Sequence, residues 1–520
     1  MRFGESRATL SALLSAVLTA VVAGCAQDGS DGADPHETTR LSYVSAPCPR
    51  PNFPGVPESG LGPEFTCGYL TVPENRRVDN GRTIQILVAR AEALSDAPAA
   101  DPIVYLASGP GGAGTLSAPG VIAGGMNADR DVIFVNPRGT VHSDPFLSCP
   151  ETDEFTARSI NLVLARQSTA NLAAAAVAAC RERLATSGVD FAAYNSLENA
   201  TDHADLRTAL GIKEWNLYGV SYGSDLALQI LRDHPDGVRS VVLDSVVPPN
   251  INIVDRWWEA PASALAAITR ACADQSHCVA AYPDLMQTFT ATVDALDRAP
   301  AQVTVTDPSG RDVPVTVDGS KLVPLVVDWS RDAARVADIP RMIYAASRGD
   351  VTLAAEAIAA SDLPAEQRGT LGYGLTLGAY CQEMTNWTTR EEALAGARKA
   401  MPDLPDAVLR VTPTGSHIFD ECRAWGVGRS DPAARQPASS AVPTLILSGT
   451  FDASTAPAWV DDVTGGLPNS TVLHFPGSGH GVIPDSSCAQ SIMTAFIDEP
   501  NPDVDRSCIA NIELPALAPA

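Results

Sequence analysis

Lysine is almost missing from this chain. Lys213, Lys321 and Lys399 are the only three among 36 basic residues, set against 61 acidic ones, and the net charge is −25. A polyanion repels phosphate backbones and anionic headgroups, which argues against nucleic-acid binding and polybasic membrane targeting. Zinc chemistry has no support, because no Cys-x-x-Cys pair comes with a matching His or Cys cluster. The one glycine-dense loop, at residues 108–114, lacks the GxxxxGK[ST] pattern and does not match GxGxxG in register. No internal repeat or long low-complexity stretch is present, and no motif calls for a cofactor. What remains is a chain 45% hydrophobic and only 19% charged, too apolar for disorder and rich enough for a large core. Its 520 residues suit two or three domains.

The N-terminus reads as an address. Arg2 and Arg7 precede an apolar run from Ala8 to Ala23, too short and wrongly flanked for a membrane span. Ending in Val22-Ala23-Gly24-Cys25, residues 1–24 resemble a bacterial lipoprotein signal. That implies export, cleavage before Cys25 and lipidation of its thiol, so that any membrane attachment runs through this anchor. Residues 25–41 are polar and acidic and read as a flexible tether. Eleven cysteines less Cys25 leave ten, an even number that suits an oxidising compartment. Connectivity does not follow from sequence. Pairing by proximity gives Cys48–Cys67, Cys149–Cys180, Cys272–Cys278, Cys381–Cys422 and Cys488–Cys508.

Strand-like runs at 82–94, 102–108 and 131–136 are followed by helical patterns at about 171–187 and 201–211. The short strand WNLYGV then runs into Ser221 and the helix SDLALQILRDH, and VRSVVLDSVV follows. Alternating strands and helices predict an α/β fold with a mostly parallel sheet and helices on both faces. The rhythm breaks near Pro248 and resumes at Pro443 with TLILSGTFD, STVLHFPGSGH and the helix SCAQSIMTAFI. Residues 42–250 and 438–520 therefore read as one core, and residues 251–437 as a large, mainly helical inserted cap.

Gly219-Val220-Ser221-Tyr222-Gly223 fits a sharp strand-to-helix turn that lifts the Ser221 hydroxyl clear of the sheet. A serine hydroxyl needs a base, itself oriented by a carboxylate. His480 sits in a glycine-flanked loop after an apolar strand, whereas His474 within that strand and His234 on a helix read as structural. Asp452 ends the strand TLILSGTFD 28 residues before His480 and is the preferred acid. Asp244, at the end of VVLD, is its rival. Acyl transfer also needs oxyanion donors; the backbone N–H groups of Tyr222 and of the Ser108–Gly114 loop, at Gly109, are the candidates.

With these motifs placed, the chain resembles the exported tripeptidyl-aminopeptidase and prolyl-aminopeptidase-like branch of the α/β-hydrolases. The likeness runs through CGYLTVPENR, YLASGPGGAG, DVIFVNPRGT, SCPE, WNLYGVSYGS, VVLDSVVPP, SGTFD and GSGHG. It implies a serine hydrolase with Ser221, Asp452 and His480 as triad. Two positions depart from the family pattern: Ser108 replaces the first of paired glycines, and Asn136 an aspartate. The resemblance also implies an acidic cap residue that grips a free α-amino group, since a buried ammonium needs a carboxylate. Glu383 is the candidate, with Asp420 and Glu421 behind it. Peptide and ester substrates both remain open at this point.

Overall fold

The computed structural model describes residues 41–49, 61–78, 80–360, 369–413 and 415–517. The signal segment, Cys25 and the tether up to residue 40 lie outside the described residues.

The strands are β1 (Ser42–Ala46), β2 (Phe65–Pro73), β3 (Thr83–Ala91), β4 (Ile103–Leu106), β5 (Val132–Val135), β6 (Trp215–Val220), β7 (Val238–Asp244), β8 (Ala301–Thr306), β9 (Asp312–Val317), β10 (Thr444–Gly449) and β11 (Ser470–Phe475). Nine of them form one sheet in the order β1-β2-β3-β5-β4-β6-β7-β10-β11. The six strands from β5 to β11 run parallel, whereas β1, β2 and β3 pair antiparallel and close one side. The sequence reading anticipated the parallel part and did not recognise β1 or β2 as strands.

The near-continuous apolar character of the central strands follows from burial on both faces. Successive side chains alternate between two clusters. Val104, Leu217, Val241 and Ile446 pack with Leu206 and Leu226 from the helices Ser196–Ala209 and Tyr222–Asp233. Tyr105, Tyr218, Val242 and Leu447 pack on the other face with Ala118, Ile492 and Phe496 from the helices Gly114–Ala123 and Ser487–Asp498. Helices therefore cover both faces, as the alternating pattern predicts.

Between β7 and β10 the chain is mainly helical and builds a cluster around Leu265, Phe289, Val326 and Ile343, which Phe451 and Leu517 join from beyond β10. The hairpin β8–β9 was not anticipated, although its alternating Val and Thr around Asp307-Pro308-Ser309-Gly310 carries the signal for one. A second cluster joins this segment to the core, with Leu375 and Trp425 against Val177 and Leu184. Leu41–Ala520 thus form one compact unit. Its five disulfides are the pairs given by proximity. Among the described residues, no helix is long and apolar enough to cross a membrane.

Candidate active site

The site gathers at the carboxyl ends of the parallel strands, where side chains on the connecting loops converge. β6 ends at Val220, beside Asp244 at the end of β7, and Gly449 of β10 lies beside Phe475 of β11. Ser221, Asp452 and His480 all follow such ends.

Ser221 has φ 56° and ψ −121°, a strained backbone for a residue with a Cβ. Its N–H donates to Asp244 O at 3.0 Å, and its carbonyl accepts from Ser224 N–H at 2.8 Å. Two neighbours thus fix the turn. Gly223 permits it, since a Cβ there would stand 2.0 Å from Leu106 O.

His480 Nδ1 lies 3.0 and 3.1 Å from the two Asp452 carboxylate oxygens. Asp452 also accepts from Ser454 N–H at 2.8 Å, Thr455 N–H at 2.9 Å and the Thr455 hydroxyl at 2.6 Å. Burial alone would push this carboxyl up. The His480 imidazole and the Thr455 donors outweigh burial and hold it at about 2. It is therefore charged throughout the physiological range. Asp244 is engaged differently, accepting from Val482 N–H at 2.8 Å and Ile483 N–H at 3.0 Å. The neighbouring Ser245 hydroxyl accepts from Gly481 N–H at 2.9 Å. The rival acid thus anchors the loop that carries His480, while Asp452 addresses the imidazole.

A cavity of about 170 Å³ opens over the turn, and its lining includes Ser221, His480, Gly109, Tyr222 and Glu383. The structure thus brings together on one cavity the predicted residues other than Cys25 and Asp452, with Asp452 bonded behind the histidine. A larger cavity of about 360 Å³ lies between the helices Gly114–Ala123 and Ser487–Asp498 and holds none of them. The Ser108–Gly114 loop is clamped by the inserted segment: Gly372 N–H donates to Gly111 O at 2.9 Å and the Thr376 hydroxyl to Pro110 O at 2.7 Å. Gly111 has φ 96°, and a Cβ on it would stand 2.4 Å from Thr376 Oγ1. Asn136 explains its own departure from the family pattern. Its Oδ1 accepts from Thr115 N–H at 2.9 Å and its Nδ2 donates to Val141 O at 2.7 Å. One acceptor and one donor are needed, which an amide supplies and an ionised carboxylate does not.

Glu383 sits in the short π-turn Tyr380–Met384, stapled by Cys381–Cys422. Its Oε1 accepts from Ser196 N–H at 2.6 Å and its Oε2 from the Ser196 hydroxyl at 2.8 Å. Ser196 opens the helix Ser196–Ala209, so the carboxylate occupies a helix N-terminus, where negative charge is favoured. Burial pushes the group up to about 7 against those two bonds. Asp420 instead pairs with Arg390 and Arg423, and Glu421 meets the Tyr373 hydroxyl; neither lines the cavity with Ser221. Sequence reasoning missed Ser196, whose contact with Glu383 spans 187 residues.

The Glu383 shift has a sign that can be measured. Its folded value of about 7 lies above the usual carboxylate value of 4.5, so the folded state holds the proton longer. Stability linked to this group is complete below about pH 4.5 and is lost as pH rises through about 7. Glu383→Gln should raise the melting temperature at pH 8 and flatten its decline between pH 5 and 8. An unchanged pH profile of thermal unfolding would contradict the assignment.

Comparison with known proteins agrees with this architecture. Residues 102–291 match the family model described as alpha/beta hydrolase fold, and residues 408–508 match the one described as TAP-like protein. A tripeptidyl aminopeptidase of Streptomyces coelicolor is 30% identical over 205 residues, 37% of this chain and 37% of its own length. The serine protease Hip1 of Mycobacterium tuberculosis is 26% identical over 198 residues, 36% of this chain and 37% of its own. The putative hydrolase YuaR of Escherichia coli is 25% identical over 200 residues, with 36% and 37% covered. The chain therefore spans little more than a third of the length of these curated relatives. The two matched segments include, respectively, the turn at Ser221 and the Asp452–His480 pair, and with the sheet order they show that the chain has the α/β-hydrolase fold.

Proposed function

We propose that this chain is an exported serine hydrolase that releases single residues or short peptides from free peptide N-termini. The observation that carries the reading is Glu383, a buried carboxylate on the cavity that holds Ser221 and His480. A simple ester offers nothing for such a group to recognise, whereas an α-ammonium does. The printed names of the Streptomyces and Mycobacterium relatives support a peptidase. On this reading residues 251–437 cap a catalytic core made of residues 42–250 and 438–520. Five disulfides suit an oxidising compartment, and Cys25 would be the lipid anchor.

The chemistry on this reading is acyl transfer through Ser221. Ser221 Oγ attacks the scissile carbonyl while His480 Nε2 takes its proton, and Asp452 holds the imidazole by its Nδ1–H. The backbone N–H groups of Tyr222 and Gly109 receive the oxyanion. His480 then returns the proton to the leaving amine, and water hydrolyses the acyl-enzyme by the same route in reverse order. Apolar walls that include Trp257, Trp459 and Ile253 also suit the acyl part of an ester, so a carboxylesterase is the second reading.

A matched panel separates the two: p-nitrophenyl esters, and aminoacyl and tripeptidyl p-nitroanilides with free or acetylated N-termini. The expected result is turnover of free-amine anilides at least 100-fold faster than of their acetylated counterparts. Turnover of esters alone would overturn the peptidase reading in favour of the esterase.

A further inference from the structure

We infer that Asp225, one turn into the helix that starts after the nucleophile, is a second carboxylate that receives the substrate's α-ammonium group together with Glu383. The assignment rests on the aminopeptidase reading above and adds to it a residue outside the Gly219–Gly223 motif.

Asp225 is 2% exposed and lines the cavity that holds Ser221, His480 and Glu383. It sits in the first turn of the helix Tyr222–Asp233, directly after Ser221. Its Oδ2 accepts from Gln229 Nε2–H at 2.9 Å. Its Oδ1, equally buried, has no hydrogen-bond partner. A buried acceptor without a donor is costly, and for a carboxylate the cost is larger still. The acceptor surplus continues around it, since Gln229 Oε1 and Asn199 Oδ1 are also buried without a donor.

The charged neighbours do not meet this demand. Arg232, on the same helix, is paired with Asp233 at 2.6 Å. Arg435 donates to the backbone carbonyl of Glu383 at 2.7 Å. The Tyr222 hydroxyl, from the first residue of the helix, is shared with Ser196 and Asn199 at 3.0 and 3.4 Å. Arg331, the cation that also lines the cavity, donates to Ser454 Oγ at 3.0 Å, so the site presents two buried carboxyls facing one cavity with no cation paired to Asp225 Oδ1. Burial and the proximity of Glu383 both push Asp225 up, so the pair resists carrying two charges until a cation arrives. An ammonium brings three N–H donors, one positive charge and no acceptor, which is the complement of this arrangement. A neutral ester or a blocked N-terminus brings none of these.

The test compares Asp225→Asn and Asp225→Ser with the unaltered protein. Three quantities are read: kcat and KM on the best free-amine p-nitroanilide, turnover of its Nα-acetyl counterpart, and the rate of Ser221 labelling by a fluorophosphonate. Removing the charge should raise KM for the free-amine substrate at least tenfold while kcat changes less than threefold. Labelling and turnover of the acetylated substrate should stay as before. Wild-type KM in variants that label normally would overturn the proposal. Loss of labelling in both variants would overturn it too, by showing that the side chain only supports the nucleophile's helix. Failure of the aminopeptidase reading itself would be visible earlier, as an unaltered protein that treats free and acetylated substrates alike.

Discussion

Ser221→Ala is expected to slow hydrolysis of every substrate by about 10⁴- to 10⁶-fold and to abolish fluorophosphonate labelling, with the thermal unfolding profile unchanged. The magnitude follows from what the side chain alone supplies. Without Oγ there is no acyl-enzyme, and only oxyanion donors and binding remain to accelerate direct attack by water. The fold should not notice, because the bonds that shape this turn are made by the Ser221 backbone with Asp244 and Ser224. Asp452→Asn should cost about 10⁴-fold in kcat, since an amide facing His480 Nδ1 favours the wrong tautomer. Asp244→Asn provides the contrast. Its carboxylate is occupied by the Val482 and Ile483 amides, so its loss should lower stability more than kcat. Wild-type kcat for Asp452→Asn, measured on the best panel substrate, would remove Asp452 from the proposed triad.

Arg138→Met is expected to lower the unfolding free energy by about 3–5 kcal/mol, read from the shift in the urea midpoint. Arg138 is fully buried. Its guanidinium makes a two-pronged contact with Asp202, both bonds 2.7 Å, and donates to the carbonyls of Glu74 and Ala193 at 2.5 and 2.8 Å. It thereby ties the end of β2, the turn after β5 and the helix Ser196–Ala209 to one point. Removing it strips two carbonyls of a donor and leaves Asp202 with Arg76 alone, which is also committed to Glu198 and Asp205. Methionine fills the volume but meets none of these acceptors. The consequence should reach the site as well, because the same helix begins at Ser196, the donor to Glu383. A loss below about 1 kcal/mol would mean that Arg76 and solvent take over its role.

Much of this molecule is legible without coordinates, and the legible parts share one property. The strand-to-helix turn at Ser221 declares itself because flanking glycines, an apolar strand and an amphipathic helix are all local requirements of one backbone geometry. The buried strands β4, β6, β7 and β10 declare themselves by continuous apolar runs bounded by turns. Proximity alone pairs the ten cysteines as the structure does, since the closed loops are short, from 6 to 41 residues. β1 and β2 were less visible, being polar on one face and antiparallel at the sheet's edge, where alternation is diluted.

By itself, then, the amino-acid sequence determined the α/β architecture, the position of the strand-to-helix turn at Ser221 and the loops that carry its candidate partners. Tertiary structure alone decided which carboxylates face which groups. Asp452 rather than Asp244 meets His480, Glu383 rather than Asp420 or Glu421 meets the cavity, and Asp225 lies in it with an oxygen unpartnered. The reason is physical. Periodicity and turn chemistry encode what a segment does to its own backbone, over ten or twenty residues. Which side chain a carboxylate meets depends on how separately folded segments pack, and Ser196 and Glu383 become partners only because the inserted segment folds back across the helix that Ser196 begins.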